Sequence, residues 1–288
     1  MRTYHECLPC FVNQALGSLN NCSATESRIS EAMRRVFGQL AVVDYAQPPP
    51  VTARMINRIV AETLGGRDPY VHQKRHFNEF AEKVLVDMKK KITGEPDTLT
   101  FKVKLAIAAN IIDFGKNVNL SEDEVLANFE RAMHFTIDAA AVARLKEAAF
   151  GADSILFLCD NAGEIVFDRF LIEDLPYRKI TCAVRGMPVI NDATMDDAVK
   201  VGLADLVKVI PNGSDIPGTL PQECSSEFRK HFDGADLVIA KGQGNFETLS
   251  GITGKRIFYL LQVKCPVAAR DIGISVGSLA IVENTPAA

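Results

Sequence analysis

Three short stretches gather polar side chains directly behind apolar runs. Asp160 and Asn161, with Gly163 and Glu164, follow "SILFLC". Arg185, Asn191 and Asp192 lie in "RGMPVINDATMDDA". Lys241, Gly242, Gly244, Asn245 and Glu247 lie in "AKGQGNFETLSG". Carboxylate and amide oxygens are hard donors that suit Mg²⁺ or Mn²⁺ better than Zn²⁺, whose sites usually contain His or Cys. A lysine beside them offers a point charge to an anionic oxygen, and glycines leave backbone N–H groups open to phosphate. Acidic oxygens, a lysine and Gly-rich turns together favour metal-assisted phosphoryl chemistry over redox chemistry. Each group alone also has a plain structural reading: Asp160 as a helix cap, Asn191-Asp192 as a turn, Lys241 as a solvated charge at a strand end. It is the repetition of the pattern at three apolar runs that argues for a site.

Other stretches are second-rank candidates. "PNGSDIPGTL" carries Ser214 and Asp215 between two turn signals, Asn-Gly and Pro-Gly, and reads as a structural loop or a substrate loop. "AANIIDFG" sets Asn110 and Asp113 three apart on one helix face, either as a buried bridging pair or as a rim of the site contributed from elsewhere in the chain. Cys7-x-x-Cys10, with His5 nearby, is half of a tetrahedral metal site without a second half. A structural metal, a reversible disulfide and plain packing all fit it. His72 and His76 read as a solvated helix face. "GQGNFETLSG" matches neither GxGxxG nor GxxxxGK[ST], so no nucleotide cofactor is expected, and no GxSxG nucleophile elbow occurs.

The elements that must position these residues change character near residues 148–153. Before that point the chain reads as helices, from "TESRISEAMRRVFGQLAVVDY" to "SEDEVLANFERAMHF", with "QPPP" at 47–50 as a turn or short linker. After it, the β-rich runs "SILFLCD", "KITCAVRG", "DLVKVIPNG", "ADLVIAKG" and "RIFYLLQVKCPVAA" alternate with helix-length segments. Runs apolar on both faces point to parallel βαβ units, hence to an α/β fold: a helical region over residues 1–148 packed on a doubly wound, mostly parallel, Rossmann-like sheet over 149–288. In such a sheet the carboxyl ends of the strands share one edge, which lets three distant stretches form one crevice.

Composition bounds the partners. With 288 residues, 47% of them hydrophobic, the chain can bury a sizeable core. A net charge of −4 gives no basic field for nucleic acid, and no apolar run reaches the length of a membrane span. The expectation is a soluble, cytoplasmic protein that acts on a small molecule, with its oligomeric state not readable. Seven scattered cysteines argue against a disulfide framework. Cys159 and Cys182 lie in apolar runs and read as core residues.

"CDNAGEIVFD", "RGMPVINDAT", "NGSDIPG" and "AKGQGNFETLSG", with "AANIIDFG" and "CLPC", occur in an order that spans nearly the whole chain. They resemble the damage-control phosphatase family, also called domain of unknown function 89, and in particular its stand-alone prokaryotic branch with an N-terminal Cys pair. The resemblance implies hydrolysis of small phosphorylated metabolites, such as sugar phosphates or other damaged or surplus phosphate esters, with Mn²⁺, Ni²⁺, Co²⁺ or Mg²⁺. It also implies Asp160, Asn161 and Asp192 as metal ligands and Lys241 as the phosphate contact. Glu247 or Glu164 then becomes the general base or fixes a ligand. Arg185, Asn191, Asn245, Ser214, Asp215, Asn110 and Asp113 complete the expected substrate-binding set. Attack on phosphorus falls either to water or to Asp160 itself. The family has also been described as carboxyl methyltransferases, although a single glycine, Gly163, stands where an S-adenosylmethionine loop usually has several. A non-enzymatic metal- or metabolite-binding protein is the other rival.

Overall fold

The computed structural model describes residues 1–111 and 122–284, so Asp113 lies outside the described residues. Among the described residues the first part of the chain forms the α-helices α1 (Leu8–Asn21), α2 (Glu26–Ala41), α3 (Pro49–Thr63), α4 (Val71–Ile92), α5 (Thr98–Ala108), α6 (Glu122–His134) and α7 (Ala139–Gly151). Asp138 caps α7 by accepting from the Ala140 backbone N–H. The prolines of "QPPP" are not a linker. Pro48 is the N-cap of α3, and Pro49 and Pro50 form its first turn. The missing N–H of proline costs nothing there, and its fixed φ favours the helix.

Strands and helices then alternate, with two short helices between β2 and β3: β1 (Ile155–Leu158), α8 (Glu164–Ile172), β2 (Ile180–Val184), α9 (Met195–Lys200), α10 (Leu203–Leu206) and β3 (Lys208–Pro211). Then come α11 (Ser226–Gly234), β4 (Leu237–Lys241), α12 (Gln243–Leu249), β5 (Ile257–Gln262), α13 (Pro266–Ile272) and β6 (Leu279–Asn284). The strands form one sheet in the order β3-β2-β1-β4-β5-β6. β1 to β5 run parallel, with Leu158 opposite both Ala183 and Ala240. This is the doubly wound α/β fold read from the sequence. β6, absent from the sequence-based strand set, pairs antiparallel to β5 at the edge. The strand order reverses between β1 and β4, and such a switch point opens a crevice at the carboxyl ends of the strands.

Three cores hold the elements. Leu19, Val36 and Ile56 centre a cluster formed by α1, α2 and α3. Phe80, Leu105 and Leu145 from α4, α5 and α7 instead join Phe157 and Phe258 in the core on one face of the sheet. Leu158, Phe228, Phe246 and Tyr259 fill the other face. The change of texture near residue 148 therefore marks where strands begin, while the largest core runs straight across it.

Candidate active site

The loops after β1 and β2 zip together at the switch point. The Ala162 N–H donates to the Asn191 carbonyl (2.9 Å) and the Ala193 N–H to the Asp160 carbonyl (2.7 Å), so Asn161 and Asp192 pair as an antiparallel bridge. This short backbone ladder fixes Asp160, Asn161 and Asp192 side by side. Gly242, at the end of β4, closes over them from the other side of the switch. With φ at 78° it adopts a conformation that L side chains disfavour, and a Cβ there would stand 1.8 Å from Asp160 Oδ2. Only glycine lets the β4 loop approach that carboxylate.

Asp160, Asn161, Arg185, Asn191 and Asp192 are all buried. Asp160 Oδ2 accepts from Asn110 Nδ2 and Asn161 Nδ2, each at 2.9 Å. Glu164 Oε2 accepts from the same two amides, at 2.7 and 3.1 Å. Asn161 thus commits both amide hydrogens to carboxylates, which leaves its Oδ1 as an acceptor. Burial pushes the Asp160 carboxyl well above the usual carboxylate range. The charges of Glu164 and Asp192 add to that shift, while those of Arg185 and Lys264 oppose it.

Arg185 organises the other wall. Its Nε donates to Asp192 Oδ2 (2.5 Å) and its Nη1 to the Gly218 carbonyl (2.7 Å) and Thr219 Oγ1 (3.3 Å). Nη2 is buried without a hydrogen-bond partner and stands 3.6 Å from Asp160 Oδ1. Asn191 Nδ2 is likewise a buried donor with no acceptor. Leaving such a donor unsatisfied costs about 1–3 kcal/mol, so the Arg185 Nη2 beside Asp160 points to a ligand with an acceptor oxygen. Asn245 serves Arg185: its Oδ1 accepts from Thr219 Oγ1 (2.8 Å) and Arg185 Nη1 (3.5 Å), and its Nδ2 donates to the Lys241 carbonyl (2.7 Å).

Lys241 stands where its sequence neighbours do not suggest. It is fully buried rather than solvated, and its ammonium donates to Glu164 Oε1 (2.6 Å), Asp168 Oδ1 (2.5 Å) and the Ala106 carbonyl (2.9 Å). Burial acts against its charge, but Asp168 and Glu164 outweigh that and raise its pKa. Burial also lifts Asp168 to about 7, against the pull of Lys241. All three ammonium protons are thus engaged within the protein, which differs from the phosphate contact expected of this residue. The lysine whose charge reaches Asp160 from the next strand is Lys264, half-buried just beyond β5 at the same sheet edge. It lies in "QVKCP", where one lysine after an apolar run gave no signal apart from its place at a strand end.

The remaining candidates divide. Asn110 joins the site from the turn that follows α5. Ser214 shapes the loop after β3: its Oγ accepts from the Ile216 N–H (3.2 Å) and its carbonyl from the Gly186 N–H (3.2 Å). Asp215 pairs with Arg58 of α3 through two hydrogen bonds (2.6 and 3.1 Å). Glu247 is half-buried on the side of α12 that meets the N-terminus. Its Oε1 accepts from Gln243 Nε2 (2.7 Å) and its carbonyl from the Met1 amine (3.2 Å); burial raises the Cys7 thiol pKa, and the Glu247 charge adds to that rise. Glu164, the other base candidate, has both oxygens engaged by Lys241 and the two amides. Cys7 occupies the N-cap position of α1 without a side-chain cap and Cys10 lies in its first turn, both as free thiols, while Cys159 and Cys182 are buried in the sheet. His72 and His76 are exposed on α4.

A divalent cation suits this donor set. Four buried carboxylates, from Asp160, Glu164, Asp168 and Asp192, face two fully buried cations, Arg185 and Lys241. Asp160, Asn161 Oδ1 and Asp192 present oxygen ligands at the edge of that excess negative charge. Among the described residues, no group of three His, Cys, Asp or Glu side chains forms a cage. Two carboxylates and an amide oxygen are donors of the kind that Mg²⁺ or Mn²⁺ takes together with water or phosphate.

Comparison with known proteins follows the same outline. The family model for the damage-control phosphatase ARMT1-like domain matches residues 3–280. A damage-control phosphatase of Pyrococcus horikoshii is 34% identical over 289 residues, covering 99% of each chain. One from Archaeoglobus fulgidus is 36% identical over 238 residues, covering 80% of this chain and 82% of its own. An uncharacterized protein of Methanocaldococcus jannaschii is 34% identical over 293 residues, covering 97% of this chain and 94% of its own. The crystal structure of a DUF89 family protein from P. horikoshii superposes with a TM-score of 0.88 at 34% identity, over 99% of this chain and all of that one.

Proposed function

Since the chain belongs to the damage-control phosphatase family, we propose that it is a phosphatase that hydrolyses small phosphorylated metabolites with the help of a divalent cation. The observation that carries this reading is Arg185 Nη2, a buried cationic donor without an acceptor beside Asp160. A phosphoryl oxygen supplies the acceptor that Nη2 lacks, and Asn191 Nδ2 offers a second donor to the same group.

The chain's own residues divide the work. Asp160, Asn161 Oδ1 and Asp192 would hold the cation, whose positive charge would offset that of the phosphoryl oxygens. Arg185 binds a phosphoryl oxygen through Nη2 while its Nε keeps Asp192 in place. Lys264 adds positive charge at the mouth. Asn110, Glu164 and Lys241 position Asp160 and Asn161 from behind, and Asn245 with Thr219 positions Arg185. Attack comes from water or from Asp160, and phosphate label retained on a denatured Asp160 peptide would select the second route.

Phosphate release is to be measured on metal-stripped protein from p-nitrophenyl phosphate and a panel of sugar phosphates, with Mg²⁺, Mn²⁺, Co²⁺ or Ni²⁺ restored in turn. The reading expects turnover only with metal, lowered by roughly 10² to 10³ in Asp160→Asn. Full turnover in chelator, or an unaffected Asp160→Asn protein, overturns it.

A further inference from the structure

Beside the site lies a pocket of about 280 Å³ between the helical region and the loop after β2. α3 and the segment that follows it form one wall, and Met187, Pro188, Val189 and Ile190 form the opposite wall. That second wall continues directly into Asn191 and Asp192. The Asp192 N–H donates to the Val189 carbonyl (3.1 Å), and Ile190, at the bend of this turn, has φ of 45°. A β-branched residue in the left-handed region is a true outlier and is held only where its surroundings dictate it. One tight turn therefore carries both Asp192, which is bonded to Arg185, and the apolar residues that line the pocket.

The polar groups of the pocket are nearly all closed on themselves. Arg58 pairs with Asp215, Asp68 with Lys74, and Tyr70 with Ser18. Two residues keep spare donors. Asn57 accepts from Gln14 through Oδ1, but its Nδ2 is buried without a partner. Arg67, exposed at the rim, commits only Nε, to the Leu64 carbonyl. Apolar walls with spare side-chain donors call for a ligand that brings carbon and acceptors rather than a dense set of hydroxyls.

Building on the phosphatase reading, we propose that this pocket binds the organic part of the phosphate ester, and that the ester it selects carries a partly apolar chain bearing a carbonyl-type acceptor for Asn57. The 187–192 turn then couples specificity to chemistry, because the side chains that grip the organic part are linked within a few residues to those that face the phosphoryl group.

The test compares methyl phosphate, pentyl phosphate, 4-oxopentyl phosphate and a hexose phosphate with wild type, Ala61→Phe and Asn57→Asp. Ala61 lines the pocket from a partly exposed helix position, so the larger ring fills the space at low risk to folding. Asn57→Asp keeps the acceptor for Gln14 and deletes the donor. In wild type, 4-oxopentyl phosphate should exceed methyl phosphate and the hexose ester in kcat/KM by about tenfold or more. Ala61→Phe should collapse the ratio of the oxopentyl to the methyl ester by about tenfold, and Asn57→Asp the ratio of oxopentyl to pentyl by a similar factor. Ratios unchanged in both variants, while hydrolysis persists, overturn the pocket assignment and leave the phosphatase reading standing. Titration with 4-oxopentylphosphonate separates the two claims further. Binding weakened by both substitutions, in a protein that hydrolyses none of the esters, upholds the pocket and overturns the phosphatase reading. Absent binding, or binding indifferent to both substitutions, overturns the pocket.

Discussion

Two charged clusters meet at the same sheet edge and are built on opposite terms. Behind the crevice, Lys241 is enclosed by Glu164, Asp168 and the Ala106 carbonyl, and every ammonium proton has an acceptor. In front, Arg185 satisfies Nε and Nη1 within the protein but leaves Nη2 buried without a hydrogen bond, 3.6 Å from Asp160 Oδ1. Both clusters are buried and both join a basic residue to two carboxylates, so burial and charge alone do not distinguish them. What distinguishes them is closure. A cluster closed on itself holds the fold together, whereas one that keeps unpaired donors inside a crevice is arranged for something that arrives from outside.

The rear cluster should give the largest response. Lys241→Met strands Glu164 and Asp168 without their countercharge, and breaking a buried ion pair from one side typically costs about 3–5 kcal/mol. A drop of that size in the urea unfolding free energy, with the denaturant slope unchanged, is expected. Adding Glu164→Gln and Asp168→Asn to the lysine variant should recover much of the loss, since no uncompensated charge then remains. If Lys241→Met instead folds with nearly full stability and loses only turnover, the comparison is broken and Lys241 belongs to the front.

Asp160→Asn should do the reverse. The amide keeps an oxygen for Asn110 and Asn161 while removing a carboxylate that Glu164 and Asp192 crowd, so stability should hold or rise. Turnover should fall by roughly 10² to 10³, equivalent to about 2.7–4 kcal/mol, as when one preorganised electrostatic group is removed from an active site. Equilibrium unfolding and steady-state rates on the same preparation separate the two effects.

Arg185→Lys tests the middle of the scale. An ammonium cannot reproduce a planar fork that holds Asp192 with one nitrogen and keeps another for the ligand. The loss of a hydrogen bond between charged groups, about 1.5–3 kcal/mol, predicts a fall in kcat/KM of about 10- to 100-fold. Inorganic phosphate should also become a weaker competitive inhibitor. An unchanged inhibition constant would mean that Nη2 does not meet the phosphoryl group.

How much of this division is legible in the sequence depends on which direction a side chain takes from a shared edge. The convergence of Asp160, Arg185, Asp192 and Lys241 follows from parallel strands alone, because their carboxyl ends must line up. Depth does not. Lys241 turns inward because α8 presents Glu164 and Asp168 four residues apart on one face, so the apolar run "EIVFDRFLI" with two embedded acids carried the signal that this lysine is enclosed. Asn110 was readable as a polar residue in an apolar helix end, but its partner Asp160 lies 50 positions away and only the packing of α5 on α8 reveals it. Lys264 carries no local pattern at all. Glu247 lies two residues from Asn245, and on a short helix that spacing turns the two side chains to different sides.

The smallest effect belongs to a third kind of charge pair, Arg58 with Asp215, which ties α3 to the loop after β3. Its geometry is as good as that of the buried pairs, with two hydrogen bonds of 2.6 and 3.1 Å. The guanidinium, however, keeps about half of its surface in water, with a side-chain exposure of 54%. Water already solvates Arg58 when the pair is broken, and salt screens the attraction when it is made. Arg58→Ala should therefore cost less than about 1 kcal/mol, and 0.5 M NaCl should shrink the difference from wild type. Lys241→Met should be nearly indifferent to the same salt, because its partners lie out of reach of solvent. If Arg58→Ala instead destabilises by several kcal/mol at high salt, the loop after β3 depends on α3 for its conformation, and closure would no longer suffice to rank the three pairs.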